Sequence, residues 1–320
     1  MTGQPLGAGR EFDRIRAIAD ALRTRARGLG DDCAVVAASP HPVVLSTDAS
    51  VEGVHFRREW LSLEEVGWRA TAAALSDLAA EGATVEGVLA AIVAPAGSRG
   101  DDTSALMRGV GAAVAVVGGV VLGGDLSSGP VWSVVVTVVG HAERPVTRSG
   151  AGPGDRLWIT GSLGGARAAL DAWGRGAEPS AGARAAFAHP EPRIAAGRWL
   201  AGGGARAMID LSDGLADARH IAAASRVRVE LDVDRIPVAG AAVDAALASG
   251  VPPQEYAALG GEDYELLVAL PAAFSPADRE RFERATGLAL TEVGAVRAGD
   301  GVRATLGGRT LALDGFDHFR

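Results

Sequence analysis

Aspartates recur in short segments rich in glycine, serine and threonine, and these are the residues best suited to chemistry. In chain order the segments are Gly28-Leu29-Gly30-Asp31-Asp32, Ser46-Thr47-Asp48, Ser76-Asp77, Gly123-Gly124-Asp125 and Asp210-Leu211-Ser212-Asp213-Gly214. Any one of them is explained by the preference of Asp, Gly and Ser for turns and helix caps. Asp48, Asp125 and Asp210, however, each follow an apolar run that reads as a buried strand. A carboxylate there is costly to desolvate unless a positive group faces it.

The positive partner of these carboxylates is either arginine or a divalent metal ion, because all 31 basic residues are arginine. The absence of lysine excludes a Walker A motif, Schiff-base chemistry and the strand lysine of protein kinases. Oxygen ligands of this kind suit Mg²⁺, and substrate phosphates can complete its coordination. Calcium stays open, although no EF-hand spacing occurs. Several Mg²⁺ ions would neutralise the charge that develops in phosphoryl transfer.

Other candidate sites carry weaker signals. Residues 161–165, Gly-Ser-Leu-Gly-Gly, lie between a predicted strand and a predicted helix, where they either bind a phosphate or form a tight turn. Arg148 is a candidate for a phosphate contact or for a surface ion pair. Neither zinc-site histidine spacing nor a G-x-S-x-G nucleophile motif occurs. The single cysteine, Cys33, excludes a disulfide framework and fits a reducing cytosol.

The elements that position these residues alternate between strands and helices along 320 residues, a length of about two domains. Ser62 and Glu65 form a capping box that predicts a helix to about Ala80. The apolar run 131–139 has strand length and predicts burial on both faces. Further predicted strands are 43–45, 120–122, 157–160 and 208–210, and further predicted helices are 11–22, 101–117, 163–173, 215–224 and the segment from Ser275-Pro276 to Gly287. The turn-rich stretch 148–155 predicts a boundary between an N-terminal domain, 1–145, and a C-terminal domain, 146–320.

Charge and hydropathy narrow the class of partner. A net charge of −8 argues against nucleic-acid binding, which needs a basic surface. Residues 1–9 lack the apolar run of a signal peptide, and the apolar stretch 110–122 is interrupted by glycine and shorter than the ~20 residues of a bilayer crossing. We therefore expect a cytoplasmic protein with neither a nucleic-acid nor a membrane partner.

The order of the motifs resembles that of the thiamine-monophosphate kinase family, from about Gly28 to Phe319. The motifs are G-L-G-D-D-C-A, S-T-D, G-x-H-F, L-S-D-L-A-A, G-G-D, T-R-S-G, I-D-L-S-D-G-L, G-G-E-D-Y-E-L and F-D-H-F. That family belongs to the aminoimidazole-ribonucleotide-synthetase-like ATP-binding superfamily, which shares G-G-D and the acidic loops. The segments G-x-H-F, G-G-E-D-Y-E-L and F-D-H-F are together more specific to the kinase.

The resemblance implies a mixed α/β fold of two domains, with an N-terminal ATP- and Mg²⁺-binding domain that forms a strand barrel across a homodimer. The C-terminal domain would complete the active-site cleft. It implies direct in-line transfer of the ATP γ-phosphoryl group to thiamine monophosphate, with several Mg²⁺ ions and with no covalent nucleophile or general base. By matching motifs, the Mg²⁺ ligands would be Asp32, Ser46, Thr47, Asp48, Asp77, Asp125, Asp210 and Asp213. ATP contacts would come from Gly124, Asp125, Arg148 and Ser212, and acceptor contacts from His55, Glu262 and Phe316.

Two departures from the family pattern concern neighbours of the presumed ligands. Ala74 stands where the family has Asn, and Leu126 stands where it has Thr. One alternative is another ATP-dependent enzyme of the superfamily, such as a purine-pathway amidine synthetase, against which G-x-H-F and F-D-H-F argue. A second is a non-catalytic nucleotide or Mg²⁺ sensor, against which the intact set of aspartates argues.

Overall fold

The computed structural model describes residues 10–27, 29 and 33–315 and divides the chain into two compact units. The first unit comprises the chain up to Leu78 together with Thr84–Glu143, and the second comprises Ala79–Ala83 and the chain from Arg144 onwards. Among the described residues, no helix combines the length and the apolar character that a membrane crossing requires.

The first unit is built on a four-stranded sheet with strand order β1-β4-β2-β3. Its strands are β1 (Val43–Val51), β2 (Thr84–Pro95), β3 (Val120–Gly129) and β4 (Ser133–His141), and its helices are α1 (Arg10–Leu22), α2 (Leu63–Ala80) without its last two residues, and α3 (Gly100–Ala115). Strands β2 and β3 run parallel, whereas β4 runs antiparallel to both β1 and β2. The predicted start of α2 is confirmed, because Ser62 and Glu65 exchange backbone-to-side-chain hydrogen bonds of 2.7 and 3.2 Å.

Both edge strands of this sheet extend further than the sequence predicts. Asp48 and Asp125 consequently lie inside β1 and β3 rather than directly after them. An edge strand pairs on one side only and keeps part of its surface in water, so polar residues can occupy its interior. The apolar runs alone therefore predict the beginning of each strand and not its end.

Strand β4 has one buried face instead of the two that its continuous apolar run predicts. Val134, Val136 and Val138 are at most 1% exposed, whereas Val135 and Thr137 on the opposite face are partly exposed. Successive side chains point to opposite faces of a sheet, and only one face of this strand is covered in the single chain.

The second unit is built on a seven-stranded mixed sheet with strand order β11-β10-β7-β9-β5-β8-β6. Its strands are β5 (Arg156–Thr160), β6 (Ala207–Asp210), β7 (Arg228–Asp232), β8 (Leu266–Leu270), β9 (Leu290–Arg297), β10 (Gly301–Leu306) and β11 (Arg309–Leu311). Its helices are α4 (Gly165–Gly174), α5 (Ala181–Ala188), α6 (Ile194–Gly202), α7 (Ala218–Ser225), α8 (Gly240–Ser249), α9 (Pro253–Ala258) and α10 (Pro276–Thr286). Among the strands just given, β7 and β10 pair in parallel, and the other neighbouring strands pair antiparallel. Leu157, Ile159 and Leu267 lie at the centre of the core and are fully buried.

Helix boundaries in this unit follow local signals where these are strong. Helix α10 begins after Ser275, whose Oγ accepts the Asp278 N–H at 3.3 Å, and it ends at Gly287, as predicted. The predicted helix 215–224 instead divides into a 3₁₀ turn at Gly214–Asp217 followed by α7. At the start of this turn, the Asp217 carboxylate accepts the backbone N–H of Asp213 at 2.8 Å.

Candidate functional site

Three of the predicted metal ligands lie together in the first unit. Ser46 and Asp48 are two residues apart on β1, so their side chains share one face of the sheet. Asp77 reaches this face from α2, where its Oδ2 accepts a hydrogen bond of 2.5 Å from Ser46 Oγ. Two carboxylates and a hydroxyl thus offer oxygen donors of the type that Mg²⁺ prefers.

Thr47 and Asp125 face the opposite side of the same sheet. Thr47 pairs with Thr137, and the two hydroxyl oxygens are 2.8 Å apart. Across β4 and β2, Asp48 aligns with the residue of β3 that directly precedes Asp125. Because successive side chains of a strand point to opposite faces, the Asp125 side chain lies on the face of Thr47 and not on that of Asp48. Its Oδ2 accepts a hydrogen bond of 2.9 Å from Ser127 Oγ. The predicted ligands of this unit that the structure describes are therefore divided between the two faces.

Gly124 has a packing role in addition to its predicted nucleotide contact. A Cβ atom at this position would overlap the backbone carbonyl oxygen of Ala90 on the neighbouring strand. Strands β2 and β3 can therefore approach closely here only because residue 124 is glycine.

His55 lies in the turn that follows β1 and bonds back to that strand. The backbone N–H of His55 donates to the Val51 carbonyl at 2.9 Å, and the backbone N–H of Val51 donates to the ring nitrogen Nδ1 of His55 at 3.1 Å. Because Nδ1 is an acceptor, Nε2 carries the proton of the neutral ring. An Nε2–H donor suits the phosphate oxygens of the predicted phosphoryl-group acceptor.

In the second unit, the D-L-S-D-G and G-G-E-D-Y-E-L motifs lie side by side at one end of β6 and β8. Asp210, the last residue of β6, is buried and pairs with Leu266 on β8. Three backbone hydrogen bonds extend this pairing beyond the strands, from the N–H groups of Leu211, Tyr264 and Glu262 to the carbonyls of Glu265, Leu211 and Ser212, at 2.7, 3.0 and 2.7 Å respectively. The structure thereby brings together Asp210, Ser212 and Glu262, which the motifs assign to metal, nucleotide and acceptor.

A charged group at the start of α7 surrounds Asp213. Arg219 Nη2 lies 3.7 Å from Asp213 Oδ2. Asp217, which accepts the Asp213 N–H, is 3% exposed, and burial raises the pKa of Asp217 to about 6. Burial, followed by the charges of Arg148 and Arg219, lowers the pKa of His220. Arg148 therefore contributes positive charge beside His220, a residue that also interacts with the predicted ligand Asp213.

Sequence reasoning misses Asp217, Arg219 and His220 as members of this group. A usable signal exists, since Asp217 lies four residues after Asp213, a spacing that places two side chains on one side of a helical turn. The long-range proximity of Arg148 to this turn has no comparable signal in the sequence.

Two predicted residues, Asp32 and Phe316, lie outside the described residues. Gly315, which precedes Phe316, lies so close to the guanidinium of Arg219 that a Cβ atom at position 315 would overlap it. Within the part of the chain that the structure describes, no three His, Cys, Asp or Glu side chains converge closely enough to hold a metal ion by themselves.

The glycine-rich turn at 161–165 already holds a carboxylate. Asp263 Oδ2 accepts the N–H of Gly164 at 2.8 Å, and the N–H of Ala166 donates to the same side chain. This carboxylate takes the position at the N-terminus of α4 that a phosphate would otherwise occupy. The structure thus favours the tight turn over the phosphate site.

Replacing Asp263 with Asn is expected to flatten the dependence of stability on pH. Burial raises the pKa of Asp263 to about 7, so between about pH 4 and pH 7 the folded chain retains a proton that the unfolded chain releases. The stability contributed by Asp263 is therefore present at pH 4 and lost as the pH rises through 7. Asparagine accepts the same N–H groups without a charge. We expect Asp263→Asn to gain about 4 kcal/mol over the wild type above pH 7 and less than about 1 kcal/mol at pH 4.

Urea unfolding of both proteins between pH 4 and pH 8 measures this difference. Asp232→Asn, the same substitution at the end of β7, serves as the control for the loss of a carboxylate at a strand end. A difference between Asp263→Asn and the wild type that stays constant from pH 4 to pH 8 would contradict the assignment of the raised pKa to this carboxyl group.

A buried ion pair anchors Glu265, the acidic residue that follows Asp263 in the G-G-E-D-Y-E-L motif. Glu265 is 3% exposed, and Arg193 donates to both of its carboxylate oxygens, at 3.0 and 2.7 Å. Thr160 Oγ1 adds a third donor at 2.6 Å. Burial raises the pKa of Glu265, while Arg193 and Thr160 act in the opposite direction.

Two residues of this segment adopt a strained backbone. Glu262 and Tyr264 have φ angles of 70° and 52°, in the left-handed region that non-glycine residues enter at a cost of about 1–2 kcal/mol each. Strain of this kind persists only where surrounding contacts enforce it, and it concentrates at functional sites.

Comparison with known proteins identifies the class to which this fold and site belong. Residues 30–142 match the AIR synthase related protein N-terminal domain, and residues 152–307 match the corresponding C-terminal domain. The chain is 38% identical over 270 residues to the thiamine-monophosphate kinase of Mycobacterium tuberculosis, covering 83% of this chain and 81% of the relative.

Solved structures agree with this match. The thiamine-monophosphate kinase of Stenotrophomonas maltophilia has a TM-score of 0.81 at 31% identity and covers 93% of this chain and 96% of its own. A structure described as AaThiL complexed with AMPPCP and TMP has a TM-score of 0.79 at 32% identity and covers 97% of each chain.

The mixed α/β fold of two domains thus defines an AIR synthase related protein. Within that class, the chain belongs to the thiamine-monophosphate kinase family. The resemblance and the kinase class that the motifs predict are confirmed.

Proposed function

We propose that this protein transfers the γ-phosphoryl group of ATP to thiamine monophosphate, giving thiamine diphosphate and ADP. The observation that carries the proposal is the hydrogen-bonded alignment of D-L-S-D-G with G-G-E-D-Y-E-L, which places Asp210, Ser212 and Glu262 at one end of β6 and β8. The related structure complexed with AMPPCP and TMP supports both substrates.

The acceptor determines how little acid–base chemistry the protein must supply. A phosphate monoester has a second pKa of ~6 and is already largely a dianion at neutral pH. It needs no strong general base, and direct in-line transfer needs no covalent nucleophile. The work that remains is to position two polyanions and to offset their repulsion.

The oxygen donors of the site fit magnesium ions. Asp48, Asp77 and Ser46 would hold Mg²⁺ in the first unit, and Asp210 and Asp213 in the second, with Asp32, Thr47 and Asp125 as further ligands. Bound magnesium supplies positive charge to the phosphate oxygens. Because Thr47 and Asp125 face away from Asp48 and Asp77, the proposal requires more than one ion.

The remaining predicted residues bind the substrates in this proposal. Gly124, Asp125, Arg148 and Ser212 contact ATP, and His55, Glu262 and Phe316 contact thiamine monophosphate. The guanidinium of Arg148 orients a phosphate, since a planar fork of N–H donors matches phosphate oxygens.

The proposal includes a cytoplasmic homodimer whose N-terminal strands form a barrel. The surface of the first sheet supports this part, because Val43 and Leu45 of β1 are 56% and 62% exposed. Apolar side chains of this size on a sheet face are typical of a surface that a second chain covers.

Product analysis with ATP, Mg²⁺ and thiamine monophosphate tests the function, with free thiamine as a parallel acceptor. We expect thiamine diphosphate and ADP in equal amounts from the monophosphate and no product from thiamine. Binding of ATP without any product would contradict the kinase assignment and favour the nucleotide sensor. Product from a purine-pathway acceptor alone would favour the amidine synthetase.

A further inference from the structure

The segment Glu262-Asp263-Tyr264-Glu265 is anchored through its odd-numbered residues. Asp263 bonds to the N-terminus of α4, and Glu265 bonds to Arg193. These two acidic side chains therefore tie the segment to α4 on one side and to the Arg193 guanidinium on the other. Neither carboxylate is placed among the substrate contacts by the family motifs.

The even-numbered residues, Glu262 and Tyr264, have the strained backbone, and their side chains form a hydrogen bond with each other. Glu262 and Tyr264 both have left-handed φ angles, and their N–H groups donate to the carbonyls of Ser212 and Leu211. The Tyr264 hydroxyl donates to Glu262 Oε2 at 2.5 Å. Tyr264 is 8% exposed, so this hydroxyl is held on a buried ring. Backbone and side chain of Glu262 are thus both restrained.

We propose that Tyr264 is a positioning residue, whose hydroxyl orients the Glu262 carboxylate for thiamine monophosphate. The inference rests on the proposed function, through the acceptor contact at Glu262. A glutamate side chain has several rotamers, and a hydrogen bond from a rigid ring selects one of them before the substrate arrives. A hydroxyl donor does so without the opposing charge that an arginine would bring.

The chain offers a matched control, because its only other tyrosine makes the same kind of bond elsewhere. The Tyr256 hydroxyl donates to Asp171 Oδ2 at 2.6 Å, and Tyr256 is 1% exposed. Tyr256→Phe and Tyr264→Phe each remove one hydroxyl from a buried ring that bonds a carboxylate. They differ in whether that carboxylate belongs to the proposed acceptor site.

Steady-state kinetics of the full chain test the inference. We expect Tyr264→Phe to raise the KM for thiamine monophosphate about tenfold, because the variant loses one hydrogen bond to the charged carboxylate of Glu262. The KM for ATP and kcat should stay within about twofold of the wild type, since the variant leaves the nucleotide contacts intact. Tyr256→Phe should change neither KM, and thermal unfolding of both variants reports any shared loss of stability.

A double-mutant cycle separates positioning from a general structural role. If Tyr264 acts through the Glu262 carboxylate, adding Tyr264→Phe to Glu262→Gln should raise the acceptor KM no further than Glu262→Gln alone. Additive effects, or equal increases in both KM values for Tyr264→Phe, would overturn the inference. Wild-type KM values for Glu262→Gln would overturn it through its premise. Absence of thiamine diphosphate from the wild type would show instead that the proposed function has failed.

Discussion

Asp210→Asn is expected to lower kcat by at least about a thousandfold while the protein still folds. Asp210 ends β6 as a buried carboxylate, paired through the backbone with Leu266. Asparagine keeps the size of the side chain and removes its charge, so an ion bound there loses an anionic ligand. The phosphate oxygens of the two substrates would then meet less positive charge. Steady-state kinetics at saturating substrates, repeated over a range of Mg²⁺ concentrations, measure the effect.

The Mg²⁺ dependence distinguishes a metal ligand from a packing residue. For a ligand, the Mg²⁺ concentration that gives half the maximal rate should rise by about tenfold or more as the rate falls. Asp232→Asn, at the corresponding end of β7 in the same sheet, should leave both quantities unchanged. Near-normal turnover of Asp210→Asn at ordinary Mg²⁺ concentrations would remove Asp210 from the proposed set of ligands.

Glu265→Ala is expected to destabilise the second unit by about 3–5 kcal/mol, because it leaves the Arg193 guanidinium largely buried without its main partner. Glu265 accepts hydrogen bonds from Arg193 and Thr160 at distances of 2.6–3.0 Å. Its loss therefore costs far more than the hydrogen bonds themselves would contribute. The free energy of unfolding in urea measures the change.

Glu292→Ala provides the control for this prediction, since Glu292 also lies beside two arginines. Arg156 and Arg235 are 3.3 and 3.4 Å from its carboxylate, and their side chains are 50% and 48% exposed. A surface pair of this type contributes about 1 kcal/mol or less. Equal losses for the two variants would show that burial does not dominate the energetics of Glu265.

The sequence by itself determined those parts of the protein that depend on neighbouring residues. The capping box at Ser62 and Glu65 and the Ser275 start of α10 are contacts between residues three apart, so spacing alone predicts them. The motifs identified the family in the same way, because each is a short run of neighbouring residues and their order along the chain can be read from the sequence. The acidic segments and their preference for metal ions also follow directly from residue type.

Tertiary structure alone decided which of these groups meet. Residue spacing does not show that the Thr47 and Asp125 side chains share a sheet face opposite Asp48, because the register of β1 with β4 is set by pairing between strands far apart in the chain. For the segment 161–165 the sequence favours a tight turn but leaves a phosphate site open, and only the structure shows that Asp263, about a hundred residues later, occupies that position. The bond between Tyr264 and Glu262 likewise depends on left-handed backbone angles that no local propensity favours. Such contacts are imposed by packing of distant segments, and their energy becomes available only when the whole unit folds.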